Sequence, residues 1–235
     1  MLAINKPAGV AVHGGSGVSF GVIEQLRRSR PESRFLELVH RLDKETSGIL
    51  VIAKKRSALT VLQDHFRERK AHKTYAALVI GQWPGSKKVI DVALHKYLTA
   101  EGERRVRAVR GDSDEGRRSI SLVKVMQHFK AFSLLDVTIK TGRTHQIRVH
   151  LASEGHPIVG DEKYGDFNLN HALARGTAVA GVRMGDLPGG RFERMFLHAR
   201  YLSLPHPVSE ASLVFEAPLP SECQSLLAAL DAANG

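Results

Sequence analysis

Cysteine is almost missing from this chain: Cys223 is the only one in 235 residues. A single thiol excludes an intramolecular disulfide and leaves no cysteine framework for zinc. No apolar run approaches the ~20 residues that a membrane helix needs. The opening MLAINKPAGVAVHGG lacks both the basic and the apolar stretch of a secretion signal. These shortages point to a soluble protein of a reducing compartment, the cytoplasm. There is no internal repeat or low-complexity tract, and 43% apolar residues suffice for a packed core.

Several site types are missing as well. No HExxH is present, and His145 and His150 stand five apart, not the four that place two zinc ligands on one helix face. Ser47 lies in Thr46-Ser47-Gly48-Ile49, which is not a GxSxG elbow. Gly14-Gly15-Ser16-Gly17 has no GxxxxGK[ST] continuation and reads as a plain loop. With no glycine-rich nucleotide signature, neither a redox cofactor nor ATP is implied. No cofactor and no metal are expected.

Positive charge is what the chain has in excess. Lys plus Arg number 34 against 24 Asp plus Glu, a formal charge of +10. Such a surplus favours a polyanionic partner, nucleic acid first, although many soluble proteins are basic without one.

The pattern along the chain predicts α+β architecture. Leu2 to Val10 reads as a short strand ending in a Pro-Ala-Gly turn, and Gly21 to Arg30 as a short basic helix. Pro31 breaks it, and a strand follows up to His40. Ile49 to Ala53 is a buried strand. Ser57 can cap a helix reaching about Arg69, with Leu59, Leu62 and Phe66 on its inward face. Lys73 to Ile80 is a strand. Residues 83 to 116 suit hairpins with a basic face, carrying Arg104, Arg105, Arg107 and Arg110. Leu135, Val137 and Ile139 alternate with polar residues, as in a half-buried strand. Thr144 can cap a helix facing inward with Ile147 and Leu151 and ending at Gly155. Residues 166 to 194 read as an irregular insertion with four arginines, Phe196 onward as a strand, and Ser221 onward as a helix burying Cys223, Leu227 and Leu230. Without a regular βα rhythm, the strands imply a large, mixed, mostly antiparallel sheet flanked by helices and loops.

One segment stands out. His40-Arg41-Leu42-Asp43-Lys44-Glu45-Thr46-Ser47-Gly48 crowds polar groups at the mouth of an apolar strand. An Asp beside Arg41 and Lys44 is by itself usually a surface ion pair. Tyr75 at a strand start and Arg143, His145 and Arg148 around a helix start give it company, and a buried Asp needs a cation to stay ionised.

HRLDKETSGILVIAK at 40–54 resembles the signature of the pseudouridine synthases of the RluA family. KTYAALV at 73–79, GRTHQIRVHL at 142–151, GHPIVGDEKYG at 155–165 and FLHA at 196–199 agree with it in the same order. The resemblance spans nearly the whole chain and is loosest over 84–120 and 166–194. INKPAGVAVHGG followed by SFGVIEQLR most resembles the C-type branch, which acts on uridines of bacterial 23S rRNA. Those members usually carry an N-terminal S4-like RNA-binding domain. This chain starts where their catalytic domain starts, so residues 1–235 are expected to be that domain alone.

The resemblance implies a pseudouridine synthase fold with a central RNA-binding cleft, an RNA partner and no cofactor; nothing in the sequence suggests an obligate protein partner, so a monomer is expected. It makes Asp43 the catalytic carboxylate, acting covalently or electrostatically. Arg148 becomes the arginine that pairs with it, and Tyr75 the tyrosine that stacks on the base or takes the proton from carbon 5. Arg41 would fill the gap left by a flipped uridine, and Leu197 would pack on the flipped base. His40, Arg143, His145 and Gln146 would orient the site or touch phosphate. Basic residues of 67–73, 104–110 and 183–194 are candidates for backbone contacts.

Three other readings stay open at this level: an RNA-binding module without catalysis, the same chemistry on transfer RNA or other rRNA uridines, and a metal-dependent nuclease built on Asp161, Glu162 and Asp166.

Overall fold

The computed structural model describes residues 1–15, 20–109, 115–177 and 187–233. Part of the Gly14–Gly17 loop, Arg110 of the basic cluster and Arg183 of the insertion lie outside them. The chain divides into two compact units, residues 1–74 with 197–218 and residues 75–196 with 219–235.

The first unit is built on β3 (Ser47–Ala53), whose seven residues are all buried. β1 (Leu2–Lys6) pairs antiparallel with it, from Leu2 opposite Ile52 to Lys6 opposite Gly48. β10 (Leu197–Pro205) runs parallel to its start, with His198 opposite Ser47 and Ala199 opposite Gly48. β2 (Glu37–Leu38) pairs antiparallel with its far end, and β11 (Ser212–Glu216) pairs antiparallel with β10. The continuous apolar run of β3 follows from cover on both faces. Ile49, Val51 and Ala53 pack on one side with Leu62 of α2 (Arg56–Arg67). Ile52 packs on the other with Ile23 of α1 (Val22–Ser29). Alternation at a period of two distributes these side chains.

The second unit continues from Tyr75 in β4 (His72–Ile80), and its strands run in the order β4, β9 (Phe132–Ile139), β8 (Ile120–His128), β5 (Val89–Asp91). β8 and β9 are antiparallel, with a bulge between Val125 and Gln127. β6 (Ala93–Leu98) and β7 (Arg104–Val109) form a separate antiparallel hairpin. α3 (Gln146–Ser153) is buried from Gln146 through Leu151, and Val149 packs against Leu94 and Val106 of the hairpin. α4 (Phe167–Ala174) and α5 (Ser221–Ala232) complete the unit. The expected α+β class with mostly antiparallel pairing is what forms.

Local details differ from expectation. Neither Ser57 nor Thr144 caps its helix: Lys55 and His145 occupy those places, without side-chain caps. At the start of α3 the Gln146 side chain does the work, accepting from the Arg143 N–H and the Thr141 hydroxyl. α5 buries Cys223, Leu226 and Leu230 in place of the expected Leu227. The strand before His40 shrinks to two residues, and the 166–194 insertion contains the regular helix α4. Gly155, at φ +84°, follows the end of α3 as expected.

Candidate active-site residues

In the first unit Asp43 sits in the loop that delivers the chain into β3. The Thr46 N–H donates to its carbonyl at 3.1 Å, which closes a tight turn over Lys44 and Glu45. Thr46 and Ser47 are then buried at the mouth of the strand. Arg41 is exposed and Leu42 buried, the alternation of an extended segment.

Three devices fix this loop. Lys6 is fully buried, and its ammonium donates to the carbonyls of Pro7, Val10 and Lys44 at 2.8, 2.8 and 3.0 Å. Three short charge-assisted bonds replace the hydration it gave up. The residue after Asp43 is thereby held to the turn that follows β1. Ser47 and His198 form the second device. The Ser47 hydroxyl lies 2.8 Å from His198 Nδ1, and His198 Nε2 lies 3.1 Å from the Ala217 carbonyl. A carbonyl can only accept, so Nε2 donates to Ala217, and Nδ1 is left to pair with the Ser47 hydroxyl. The third is Gly48, at φ +111°, where a Cβ would stand 2.3 Å from the Ala199 carbonyl oxygen. Only glycine allows β3 and β10 to approach this closely. Leu197, buried beside His198, takes its place from the same contact.

His40 also belongs to the scaffold. Its ring stacks on Phe66 at 4.7 Å, and Nε2 accepts the Val51 N–H at 3.1 Å. Burial, reinforced by the nearby Lys73 charge, pushes its pKa down to about 3. A neutral ring committed to a backbone N–H has no charge to offer phosphate, so its geometry favours the orienting role over phosphate contact.

In the second unit Tyr75 is buried in β4, and Arg148 is buried on α3. Arg148 Nε and Nη2 each donate to Asp161 at 2.7 Å. Asp161 Oδ1 also accepts from the Lys163 and Tyr164 N–H groups. Burial pushes this carboxyl upward, but the Arg148 charge and these hydrogen bonds outweigh it and hold the pKa below the usual range. The guanidinium stands 5.1 Å over the Tyr164 ring. The Tyr164 hydroxyl accepts the Val106 N–H at 3.1 Å and lies 2.8 Å from His145 Nδ1. His145 adopts φ +52° to reach it. Arg143 is exposed; its backbone N–H donates to the Gln146 side chain and its carbonyl accepts the Gln146 N–H.

From the sequence alone, Lys6, Tyr164 and the Ser47–His198 pair have no role, and Asp161 stands only among the acids of a nuclease. Lys6 lies in INKPAG, Asp161 and Tyr164 in GHPIVGDEKYG, and Ser47 and His198 in SGI and FLHA, so the matching segments were the available signal. Two of the three acids considered for a nuclease are otherwise engaged. Asp161 holds Arg148, and Asp166 accepts the Leu169 N–H at the start of α4. Among the described residues no three His, Cys, Asp or Glu side chains group as a metal site.

Within the expected basic cluster, Arg105 pairs with Glu103 and Arg107 with Glu115. Among the described residues no helix is long and apolar enough to cross a membrane.

The RNA pseudouridylate synthase family matches residues 1–153. A relative from Pasteurella multocida, "Ribosomal large subunit pseudouridine synthase C", is 45% identical over 98% of this chain and 65% of its own length. The protein of the same name from Escherichia coli K12 is 46% identical over 93% of this chain and 64% of its own. The chain thus spans about two thirds of the length of these relatives. Among solved structures, "Human RNA Pseudouridylate Synthase Domain Containing 4" is 28% identical with a TM-score of 0.75, covering 97% of this chain and 89% of that one. "Human RNA Pseudouridylate Synthase Domain Containing 1" gives 26% and 0.70, covering 98% and 91%.

Proposed function

The chain belongs to the RNA pseudouridylate synthase family, and from that premise we propose that it isomerises uridines of 23S ribosomal RNA to pseudouridine. The names of its relatives support this substrate. The reaction breaks the bond between uracil N1 and the ribose carbon and joins ring carbon 5 to that carbon. The proton on carbon 5 is lost and N1 gains one. No electron pair is imported, so the chemistry asks for placed side chains and no redox partner.

Asp43 is the catalytic carboxylate in this reading. The observation that carries it is the loop itself: an acid on a short turn, anchored to a fully buried strand through Lys6 and the Ser47–His198 pair. A carboxylate that must meet one ribose in one orientation needs such a support. Arg148 is the arginine of the reaction, its guanidinium plane set by Asp161 and Tyr164. Tyr75 serves the base, by stacking or by accepting the carbon 5 proton. Arg41 is exposed and suited to entering the stack vacated by a flipped nucleotide, and Leu197 offers apolar surface to it. His145 and Arg143 support the start of α3.

Residues 1–235 act as one catalytic domain, monomeric and cytoplasmic. The test is carbodiimide primer extension on 23S rRNA treated with the wild type or with Asp43→Asn. Stops at defined uridines that vanish with the variant support the proposal. Identical stops with both would overturn the assignment of Asp43, and stops only in transfer RNA would reassign the substrate.

A further inference from the structure

A cluster of cations with no ion pair among the described residues lies at the opposite end of β3 from Asp43. Arg34, Phe35, Lys54, Lys55 and Arg56 line an open hollow of about 600 Å³, with Glu32 as the one acid on its wall. Four cations against one anion leave a local surplus of three. The four cationic residues are all exposed, and none forms an ion pair among the described residues. Four other cations of this unit are engaged: Arg27 with Glu37, Lys44 with Glu45, Arg67 with Asp64, Lys70 with Glu68.

The fold holds this cluster in place. Lys54 and Lys55 leave the end of β3, where Ala53 is buried and paired with Glu37. Phe35 packs on the core, and the Arg56 guanidinium stands 5.7 Å over its ring. A stacked guanidinium keeps its N–H edge free and aimed, the geometry suited to a phosphate. α2 begins at Arg56 with no acid in its first turn, so its unsatisfied N–H groups add to a field already set by four side chains.

Seven residues of strand at about 3.3 Å each put Lys54 roughly 23 Å from Ser47. A phosphate bound there belongs to a nucleotide remote from the one being modified. We propose that the hollow lined by Arg34, Lys54, Lys55 and Arg56 is a second RNA subsite, which binds a backbone phosphodiester of the substrate well outside the target nucleotide. The subsite rests on the reading of the chain as an RNA-modifying enzyme. It reads no base; it measures the reach of the RNA around the uridine, and so favours a long structured substrate over a minimal one.

The test compares the wild type with Lys54→Ala/Lys55→Ala on two RNAs, a long 23S fragment and a short stem-loop around the same uridine. Lys124→Ala/Lys140→Ala removes the same charge from exposed positions in the other unit. For Lys54→Ala/Lys55→Ala, KM on the long RNA is expected to rise roughly tenfold with kcat unchanged. The salt slope of log kcat/KM should flatten by about 1.5, and turnover of the stem-loop should stay at the wild-type level. Unchanged KM on the long RNA, equal loss on both RNAs, or equal loss with the control pair would overturn the subsite. If the wild type makes no pseudouridine in either RNA, the functional reading fails instead. Filter binding then decides the subsite alone, through a loss of affinity confined to the long RNA and to the Lys54/Lys55 variant. Loss of binding to an acidic peptide with RNA affinity intact would overturn it in favour of a protein partner.

Discussion

Arg148 and Asp161 meet through two parallel hydrogen bonds of 2.7 Å, with side chains only 5% and 1% exposed. A pair this deeply buried adds little net stability when formed, yet costs much when one member is deleted. Asp161→Ala is expected to lower unfolding stability by about 3–5 kcal/mol, read as a fall in the urea midpoint at unchanged slope. A loss under about 1 kcal/mol would show that other contacts hold the guanidinium.

The same pair gives an acid limb. The Asp161 pKa is lower in the folded chain than in the unfolded one. Its contribution is therefore fully present above the unfolded value of about 3.9, and is lost as pH falls through the folded value. Urea titrations between pH 2 and 6 should show stability falling at the acid end. Asp161→Asn should flatten that fall while lowering the plateau, and an unaltered acid limb would assign it to other carboxyls.

Lys6 gives a stability prediction with a different signature. Lys6→Met keeps much of the stem's bulk but leaves the carbonyls of Pro7, Val10 and Lys44 without their shared donor. The expected loss is about 2–5 kcal/mol, seen in thermal or urea unfolding. Wild-type stability would mean that water enters and satisfies the three oxygens.

Gly48→Ala should be the harshest of the small substitutions. It combines φ +111° with a Cβ placed 2.3 Å from the Ala199 oxygen. The cost is expected to exceed about 3 kcal/mol, appearing as insoluble expression or a large drop in melting temperature. A soluble variant of normal stability would show that β10 can shift away from β3.

Tyr75→Phe separates the two duties proposed for one ring. Stacking survives the change and proton transfer does not. The single-turnover rate is expected to fall at least roughly tenfold with RNA affinity held. A full rate would leave Tyr75 with stacking alone.

Much of the architecture was legible because it depends on periodicity. Leu59, Leu62 and Phe66 turn inward on α2, and Leu135, Val137 and Ile139 on β9, as their spacing of three and four or of two requires. Helix starts were less legible. Ser57 and Thr144 are good capping residue types, but β3 hands its chain directly to α2 through an extended Lys55, and Gln146 reaches back across the start of α3. On α5, Leu226 and Leu227 both fit a helical face that includes Cys223 and Leu230, and only the surrounding packing chooses between them.

The positions of Asp43, Tyr75 and Arg148 came from matching segments. Their supports did not, for a physical reason. Lys6 reaches the Lys44 carbonyl across 38 positions, and Ser47 reaches His198 across 151. No local pattern encodes such contacts. Asp161 is nearer to Arg148, at 13 positions, but a turn lies between them, and a cluster of acids is as easily read as a cation site.

The link between Ser47 and His198 sets an order of events in synthesis. β3 is complete early in the chain, yet its parallel neighbour arrives only with residues 197 onward. Contacts between such distant positions form slowly, because a long loop must close first. A nascent chain carrying Asp43 therefore lacks the buttress beneath its turn until the residues from 197 onward have been made. On the proposed role of Asp43, its carboxylate gains full support only when His198 docks, and chains ending before that strand are expected to be inert toward RNA.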